Sequence, residues 1–387
     1  MDREENILTT HAYPAAQAVA PRLAAYFSRY QPAPDAAAIE TLVDAAFWAS
    51  LRREEGVTPQ ISLAFAPPEH TTQPLLFQNP LPVEPSALSK LAPAVERPGI
   101  HLGVWLFPGP GGDMELRVWG TTRHLPAHCF VIEVVTSGLL VIKQRTELLG
   151  KFVNVAVLEG DQIKFVDERS AQVPDCPGML QSLLGLDRRM MGMMPGSRAG
   201  QTDAQTGQAD SINVLVQLAA SMRGHGRGGA LLVTPSTSDD WKESIVFPAP
   251  YALDPPFTAL SRLIAEMGDA DDLKHAVEGV AGLTAVDGAM VMNDAYDVLA
   301  FGVKINRRKG SSTVERISLT EPIEGSVPTI VSPGQLGGTR HLSAAQFVHD
   351  QTDAIALVAS QDGHFTIFKW SEREQMVHAH RVEVLLL

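Results

Sequence analysis

The stretch AVDGAMVMNDAYDVLAFGVKI, residues 285–305, decides the fold class of the half of the chain in which it lies. Its two apolar segments, AVDGAMVM and DVLAFGVKI, have the composition and length of strands. Helical patterns flank them: SINVLVQLAASMRG, DLKHAVEGV and DPPFTALSRLIAEMG come before, the last with Asp254 as expected cap and Pro255 in its first turn, and SAAQFVHDQ comes after. Because helices and strands interleave, we predict a mixed β-sheet flanked by helices for residues 212–387.

The first half of the chain predicts an N-terminal helical and β-rich domain over residues 1–186. Alanine-rich segments between residues 15 and 55 place apolar residues at helical spacing, with Asp35 as the expected cap. Prolines recur over residues 58–98, which argues against long helices there, and strand-like segments follow one another over 101–167. The whole chain is therefore expected to be α/β, or α+β overall, and the role of the first domain is left open.

Residues 187–211 are expected to separate the two domains as a linker or mobile loop, because they are rich in Gly, Gln, Thr and Asp. Four methionines near the start of this segment are interpreted as a hydrophobic helix end packed against the next domain, in preference to a ligand pocket or a partner surface. They are Met190, Met191, Met193 and Met194.

Composition restricts the class of protein. The chain has 387 residues, of which 45% are hydrophobic, and its formal net charge is −13, which opposes binding to a nucleic acid in the absence of a basic cluster. It has two cysteines, and its charged N-terminus MDREENILTT lacks the apolar region of a signal peptide. We therefore expect a cytoplasmic protein that binds neither nucleic acid nor membrane.

Two similar strings contain Thr-Arg-His: GTTRHLPAHCF at residues 120–130 and GGTRHLSAAQF at residues 337–347. The first is followed by Pro126 and a strand-like run, so no helix assists it and no site is expected. The second precedes a predicted helix, whose free backbone N–H groups and the three motif side chains converge on one spot suited to an anion. The glycine-rich string GHGRGG at residues 224–229 closes a helix instead of opening one, so it predicts only a helix end and a turn. The sequence contains no HExxH, paired CxxC or GxSxG motif.

In chain order, the segments GRGGALLVTP, LIAEM, VDGAMVM, GGTRHLSAA and TDAIALVASQDGHFTI resemble the diadenylate cyclase (DAC) domain family over about residues 210–370. In that family the DGA and RHR motifs bind nucleotide and metal, and two facing domains condense two ATP molecules into cyclic di-AMP. The resemblance implies a bound nucleotide with Mg²⁺ or Mn²⁺, Asp287 as metal ligand, and a homo-oligomer formed through the DAC-like domain. The implied nucleotide-binding residues are Asp287, Gly288, Ala289, Gly338, Thr339, Arg340, His341, Ser343 and Ser360.

Two departures from the family pattern bear on catalysis. Leu342 stands where the family has its second arginine, and Ser360 is followed by Gln361 and Asp362 where the family has two glutamates. Phosphoryl transfer depends on placed cations and positive charges, so we expect binding to survive these losses better than catalysis. No catalytic residue is assured.

No replacement for the lost charges is expected from Lys304, Arg307 or Arg308, because a long loop separates them from the second Thr-Arg-His string. A long N-terminal half joined to a degraded cyclase-like domain is similar to the family called probable sensor domain DACNV. That resemblance implies sensing of a nucleotide, either a cyclic dinucleotide or an ATP-like one, in bacterial signalling or conflict. Two alternatives remain open: an active diadenylate cyclase with Asp287 as catalytic residue, and a ligand-free interaction scaffold.

Overall fold

The computed structural model describes most of the chain: residues 12–53, 56–109, 111–147, 152–167, 214–266 and 269–387. The described residues divide into two compact units, one extending to Val166 and including Leu387, the other extending from Asp167 to Leu386. Each unit contains a mixed sheet with helices, so the predicted α+β class is confirmed. The predicted linker at 187–211, with its methionines, lies outside the described residues.

The first unit contains three α-helices and an eight-stranded sheet among its described residues. Its helices are α1 (Pro14–Phe27), α2 (Ala36–Ser50) and α3 (Pro85–Val95). Its strands are β1 (Ile61–Phe65), β2 (Leu75–Pro82), β3 (His101–Pro108), β4 (Met114–Thr122), β5 (Phe130–Thr136), β6 (Leu139–Arg145), β7 (Phe152–Glu159) and β8 (Gln162–Phe165). The strand order is β2-β4-β3-β1-β5-β6-β7-β8, in which only β1 and β3 are parallel neighbours.

Local sequence accounts for most of these elements. Asp35 caps α2 as predicted, since its Oδ1 accepts a hydrogen bond of 2.8 Å from the N–H of Ala38. Prolines over residues 58–98 were expected to exclude long helices, and this segment contains the eleven-residue helix α3. A proline in the first helical turn loses no intrahelical hydrogen bond, so Pro85 is compatible with the helix start, and Pro93 lies in the last turn.

The second unit contains five α-helices and a nine-stranded sheet among its described residues. Its helices are α4 (Val214–Gly224), α5 (Ala259–Ala265), α6 (Ala270–Leu283), α7 (Thr339–Asp350) and α8 (Glu383–Leu386). Its strands are β9 (Gly229–Thr234), β10 (Tyr251–Phe257), β11 (Ala289–Asn293), β12 (Val298–Val303), β13 (Ile317–Thr320), β14 (Thr329–Val331), β15 (Ile355–Ala359), β16 (Phe365–Ser371) and β17 (Met376–Arg381). The strand order is β10-β12-β11-β9-β15-β16-β17-β13-β14.

Two predictions about the second unit are wrong in detail. Asp254 and Pro255 do not begin a helix but lie in β10, and the helix that follows, α5, begins at Ala259. β10 is an edge strand, where a proline removes no ladder hydrogen bond that a neighbour requires. The second Thr-Arg-His string is not a loop before a helix, because α7 begins at Thr339 with Gly338 as its N-cap.

Apolar residues cover both faces of the second sheet. Leu231 and Val233 of β9 face a core that includes residues of α4 and α6. The alternate residue Leu232 faces a second core that includes Phe347 of α7. Because strand side chains alternate between faces, this pattern makes a helix–sheet–helix sandwich of the second unit.

The two units share one strand order. The series β2-β4-β3-β1-β5-β6-β7 and the series β10-β12-β11-β9-β15-β16-β17 have the same succession of pairings: antiparallel, antiparallel, parallel, then three antiparallel. In the first unit the Thr-Arg-His string begins at the last residue of β4 and precedes β5. In the second unit it lies between β12 and β15, the equivalents of β4 and β5. Helix α7 covers one sheet face in the second unit, whereas Leu125 and Cys129 of a loop pack on the corresponding face in the first.

None of the helices within the described ranges has both the length and the apolar character needed to cross a membrane.

Candidate functional site

The start of β11 and the end of β12 bring Asp287 and Lys304 together. Ala289 pairs with Val303 across these antiparallel strands, and Asp287 lies two residues before Ala289 whereas Lys304 directly follows Val303, so both lie at the same end of the two strands. The Nζ atom of Lys304 is 2.7 Å from Oδ1 of Asp287, with side chains 54% and 89% exposed. The expectation that Lys304 lies away from the site is wrong, because strand pairing decides its position and the long loop begins only after it.

Electrostatics at Asp287 favour a carboxylate surrounded by positive charge. The hydrogen bond from Lys304, followed by the charge of that ammonium group, holds the pKa of Asp287 below its usual value. The charge of Arg340 lowers this pKa further. Because β9 and β11 are parallel neighbours, Gly228, which lies beside Arg340 Nη1, and Asp287 precede their strands at the same end of the sheet. Arg307 and Arg308 bond elsewhere, to the hydroxyl of Thr313 and to Glu243.

The other two residues of the Asp-Gly-Ala string, Gly288 and Ala289, have structural roles. Gly288 has a φ of +121°, and a Cβ at this position would lie 2.6 Å from the carbonyl carbon of Gly302 in β12. A side chain is therefore excluded both by the conformation and by the close approach of the two strands. Ala289 is 2% exposed and belongs to the core. Only Asp287 of this string offers a side chain to a ligand.

Arg340 lies in the first turn of α7 and extends over a glycine that precedes β9. Its Nη1 atom is 2.9 Å from the position that a Cβ of Gly228 would occupy, and the Cγ atom of Gln361 is 3.3 Å from that same position. The string GHGRGG is a turn between α4 and β9, as predicted. Sequence reasoning missed that this turn supplies backbone to the site, because only the fold brings Gly228 beneath the arginine.

The α7 N-terminus is the third component of the site. The first N–H groups of a helix have no intrahelical acceptors, and Gly338 has no side chain with which to cap them. Thr339 beside them is exposed, as is Leu342 at 43%. This end of a twelve-residue helix therefore presents positive partial charge next to Arg340.

His341 points into the unit and not toward solvent. Its side chain is buried, lies 3.4 Å from the hydroxyl of Thr366 and packs edge-on against Phe368. Burial, assisted by the charge of Arg381, lowers the pKa of His341 to about 4. A Cβ on Gly337 would lie 2.7 Å from Nδ1, so this glycine allows the backbone to close over the ring. His341 is thus neutral at pH 7 and holds the start of α7 in place.

The remaining predicted residues lie near this arrangement but contribute differently. Ser360 follows β15, and its hydroxyl accepts a hydrogen bond of 3.0 Å from the N–H of Asp362 within a tight turn. Gln361 in that turn donates to the carbonyl of Arg227 at 3.4 Å. Ser343 is half-buried in α7. The structure therefore brings Asp287, Arg340 and the turn after β15 to one sheet edge.

The implied Mg²⁺ or Mn²⁺ does not fit these residues well. A Mg²⁺ ion that accompanies a nucleotide is held by one or two carboxylates, and phosphate oxygens and water complete its coordination. Within the part of the chain that the structure describes, no group of three or more His, Cys, Asp or Glu side chains is placed to hold a metal ion. The groups found beside Asp287 are the cations Lys304 and Arg340.

Comparison with known proteins gives one family. Residues 28–123 match the model of the family described as probable sensor domain DACNV, and no curated protein matches the chain. The matched segment extends from the residue after α1 to the residue after β4, and it ends at Arg123 of the first Thr-Arg-His string. The family expectation is confirmed, although the match lies in the unit for which sequence reasoning named no role. Over residues 28–123, this chain is therefore similar to the family described as probable sensor domain DACNV.

Proposed function

We propose that the chain is a nucleotide-binding sensor whose second unit holds the phosphates of a nucleotide beside Lys304, Arg340 and the N-terminus of α7. The ligand class is a cyclic dinucleotide or an ATP-like nucleotide. The setting implied by the resemblance is bacterial signalling or conflict. The DACNV match supports the sensing role, and the nucleotide ligand is the finer part of the proposal.

One observation carries the proposal: two cationic side chains and a helix N-terminus lie at the same end of the sheet in a protein whose net charge is −13. An isolated basic side chain on such a protein does not select an anion. A fork of guanidinium donors, an ammonium group and free backbone N–H groups together match the several oxygens of a phosphate chain. Gly338 is exposed and keeps the backbone at the helix N-terminus accessible.

Binding without turnover is the expected behaviour of this site. Leu342 is 43% exposed next to Arg340 and has no donor for a phosphate oxygen, and Gln361 is neutral. Charge that develops on a leaving group needs a positioned positive partner, and each missing partner lowers the rate by orders of magnitude. Retention of Asp287 is the feature that keeps an active diadenylate cyclase as the second candidate.

Thermal unfolding of the full chain with ATP, GTP, cyclic di-AMP and inorganic phosphate tests the proposal. A ligand that binds only the folded state raises the melting temperature by mass action, so at least one nucleotide is expected to raise it more than phosphate does. Incubation with ATP and Mn²⁺, followed by chromatography, is expected to leave ATP unchanged. A cyclic product that disappears in Asp287→Asn would establish the enzyme instead, and no shift with any nucleotide would favour a ligand-free scaffold.

A further inference from the structure

We infer that Lys304 takes the place of a divalent cation at Asp287, so that this site binds nucleotide phosphates without Mg²⁺ or Mn²⁺. The inference rests on the proposed function and specifies how the same site neutralises phosphate charge. It reverses the expectation, implied by the resemblance, that Asp287 is a metal ligand.

The backbone of Lys304 is fixed on both sides. Its carbonyl accepts a hydrogen bond of 2.8 Å from the N–H of Val246, and the N–H of Asn306 donates to the carbonyl of Ser244 at 3.0 Å. Ile305 between them forms a β-bridge with Ile245. Since β12 ends immediately before Lys304, the side chain starts from a rigid position and reaches Asp287 over a short span.

The Lys304 ammonium group has enough hydrogen-bond donors to bind Asp287 and a phosphate at the same time. A lysine ammonium carries three N–H donors, and Asp287 Oδ1 accepts one of them, which leaves donors for phosphate oxygens. Both side chains are more than half exposed, so a ligand has access to them. Asp287 then orients a cation, as it would in a metal site. Here the cation is the ammonium group of Lys304 and not a bound metal ion.

Charge repulsion opposes a metal ion at the same place. A divalent cation bound to Asp287 would lie within a few ångströms of the Lys304 ammonium. Like charges at such separations repel even at the high dielectric of a surface. A metal ion would first have to displace Lys304 from the carboxylate, whereas phosphate oxygens gain a donor without displacing it.

Titration of the full chain with a fluorescent ATP analogue, in EDTA and in MgCl₂ or MnCl₂, tests the inference. We expect the wild-type dissociation constant to agree within about threefold between the two conditions. Lys304→Met is expected to weaken binding in EDTA by about tenfold or more, the effect of removing a hydrogen bond to a charged group. Lys304→Arg, which retains the charge, is expected to recover most of the loss.

A matched control exists in the same unit. Lys242 forms a surface ion pair of 2.6 Å with Asp239, similar in length and exposure to the Lys304 pair, but within a single 3₁₀ turn. Lys242→Met should leave the affinity unchanged under both conditions. Equal losses in Lys242→Met and Lys304→Met would show a general effect of net charge and would overturn the inference.

The wild-type result distinguishes the two proposals. Binding that requires Mg²⁺ or Mn²⁺ overturns the role of Lys304 and leaves nucleotide sensing in place. Absence of binding to ATP and to cyclic di-AMP under both conditions refutes nucleotide sensing, and the role of Lys304 with it. Binding in EDTA that Lys304→Met leaves intact refutes the role of Lys304 alone.

Discussion

Replacing Arg340 with alanine tests whether the second Thr-Arg-His string is a binding site and the first is not. Arg340 lies in the first turn of α7 and over Gly228, which precedes β9 at the same end of the sheet at which Asp287 precedes β11. Arg123 is the corresponding residue of the first string, is exposed, and lies between β4 and β5, where the structure has no helix. The two substitutions thus remove the same chemical group from topologically equivalent positions.

The magnitude follows from the donors that are lost. A guanidinium group that binds a phosphate forms charge-assisted hydrogen bonds, whose removal costs about 1.5–3 kcal/mol. Since about 1.4 kcal/mol corresponds to a tenfold change in an equilibrium constant, Arg340→Ala should weaken nucleotide binding by about 10–150-fold. Arg123→Ala should leave the affinity within about twofold of wild type, because no helix N-terminus or neighbouring lysine completes a site there.

Isothermal titration calorimetry of both variants with the nucleotide that gives the largest thermal shift measures this difference. Arg340 is partly exposed and has no core role, so circular dichroism should show the same melting temperature for the unliganded variant as for wild type. Equal losses in the two variants would refute the asymmetry between the strings. A loss confined to Arg123→Ala would place the ligand in the DACNV unit.

Two further predictions concern stability of the first unit. Gly103→Ala should destabilise it by about 1–3 kcal/mol in urea unfolding, because the new Cβ would lie 2.0 Å from the ring of buried Trp119; Gly111→Ala, with open space around its Cα, should change it little. Burial lowers the pKa of His101 from 6.5 to about 4. The unfolded state therefore binds a proton more readily than the folded state, so the free energy of unfolding is highest above pH 6.5 and falls by up to about 3 kcal/mol as the pH drops toward 4. His101→Gln should flatten this pH dependence, and an unchanged slope would assign it to other groups.

The sequence predicted several residues of the candidate site but not the ion pair between Asp287 and Lys304. Asp287 and Arg340 were identified from short strings, because the chemistry of each string is local. Lys304 was excluded on sequence distance, although two consecutive strands joined by a short turn contained the necessary signal. In a hairpin the residues that precede the first strand lie beside those that follow the second, which brings Asp287, two residues before β11, to Lys304, the residue after β12.

His341 and Gly228 show two other limits. His341 was predicted as a binding residue because it belongs to the Thr-Arg-His string. Since α7 starts at Thr339, the helix turns the side chain of His341 toward the sheet, where it is buried. Gly228 was interpreted as part of a turn, which is correct, and its position beneath Arg340 depends on the packing of β9 beside β15. Neither outcome follows from the composition of the segment alone.

The sequence by itself determined the α+β class, the order of most helices and strands, and the identity of Asp287 and Arg340, because hydrophobic periodicity and motif chemistry are properties of neighbouring residues. Only the tertiary structure decided that Lys304 faces Asp287, and that β1–β7 repeat the strand order of β9–β12 and β15–β17. Strand pairing brings together residues that are far apart in the chain. The alternation of apolar residues along a strand specifies which of its faces is buried, but it does not specify which strand pairs with it. The positions of charges at a sheet edge therefore depend on which strands pair, and this is the information that a single sequence carries least directly.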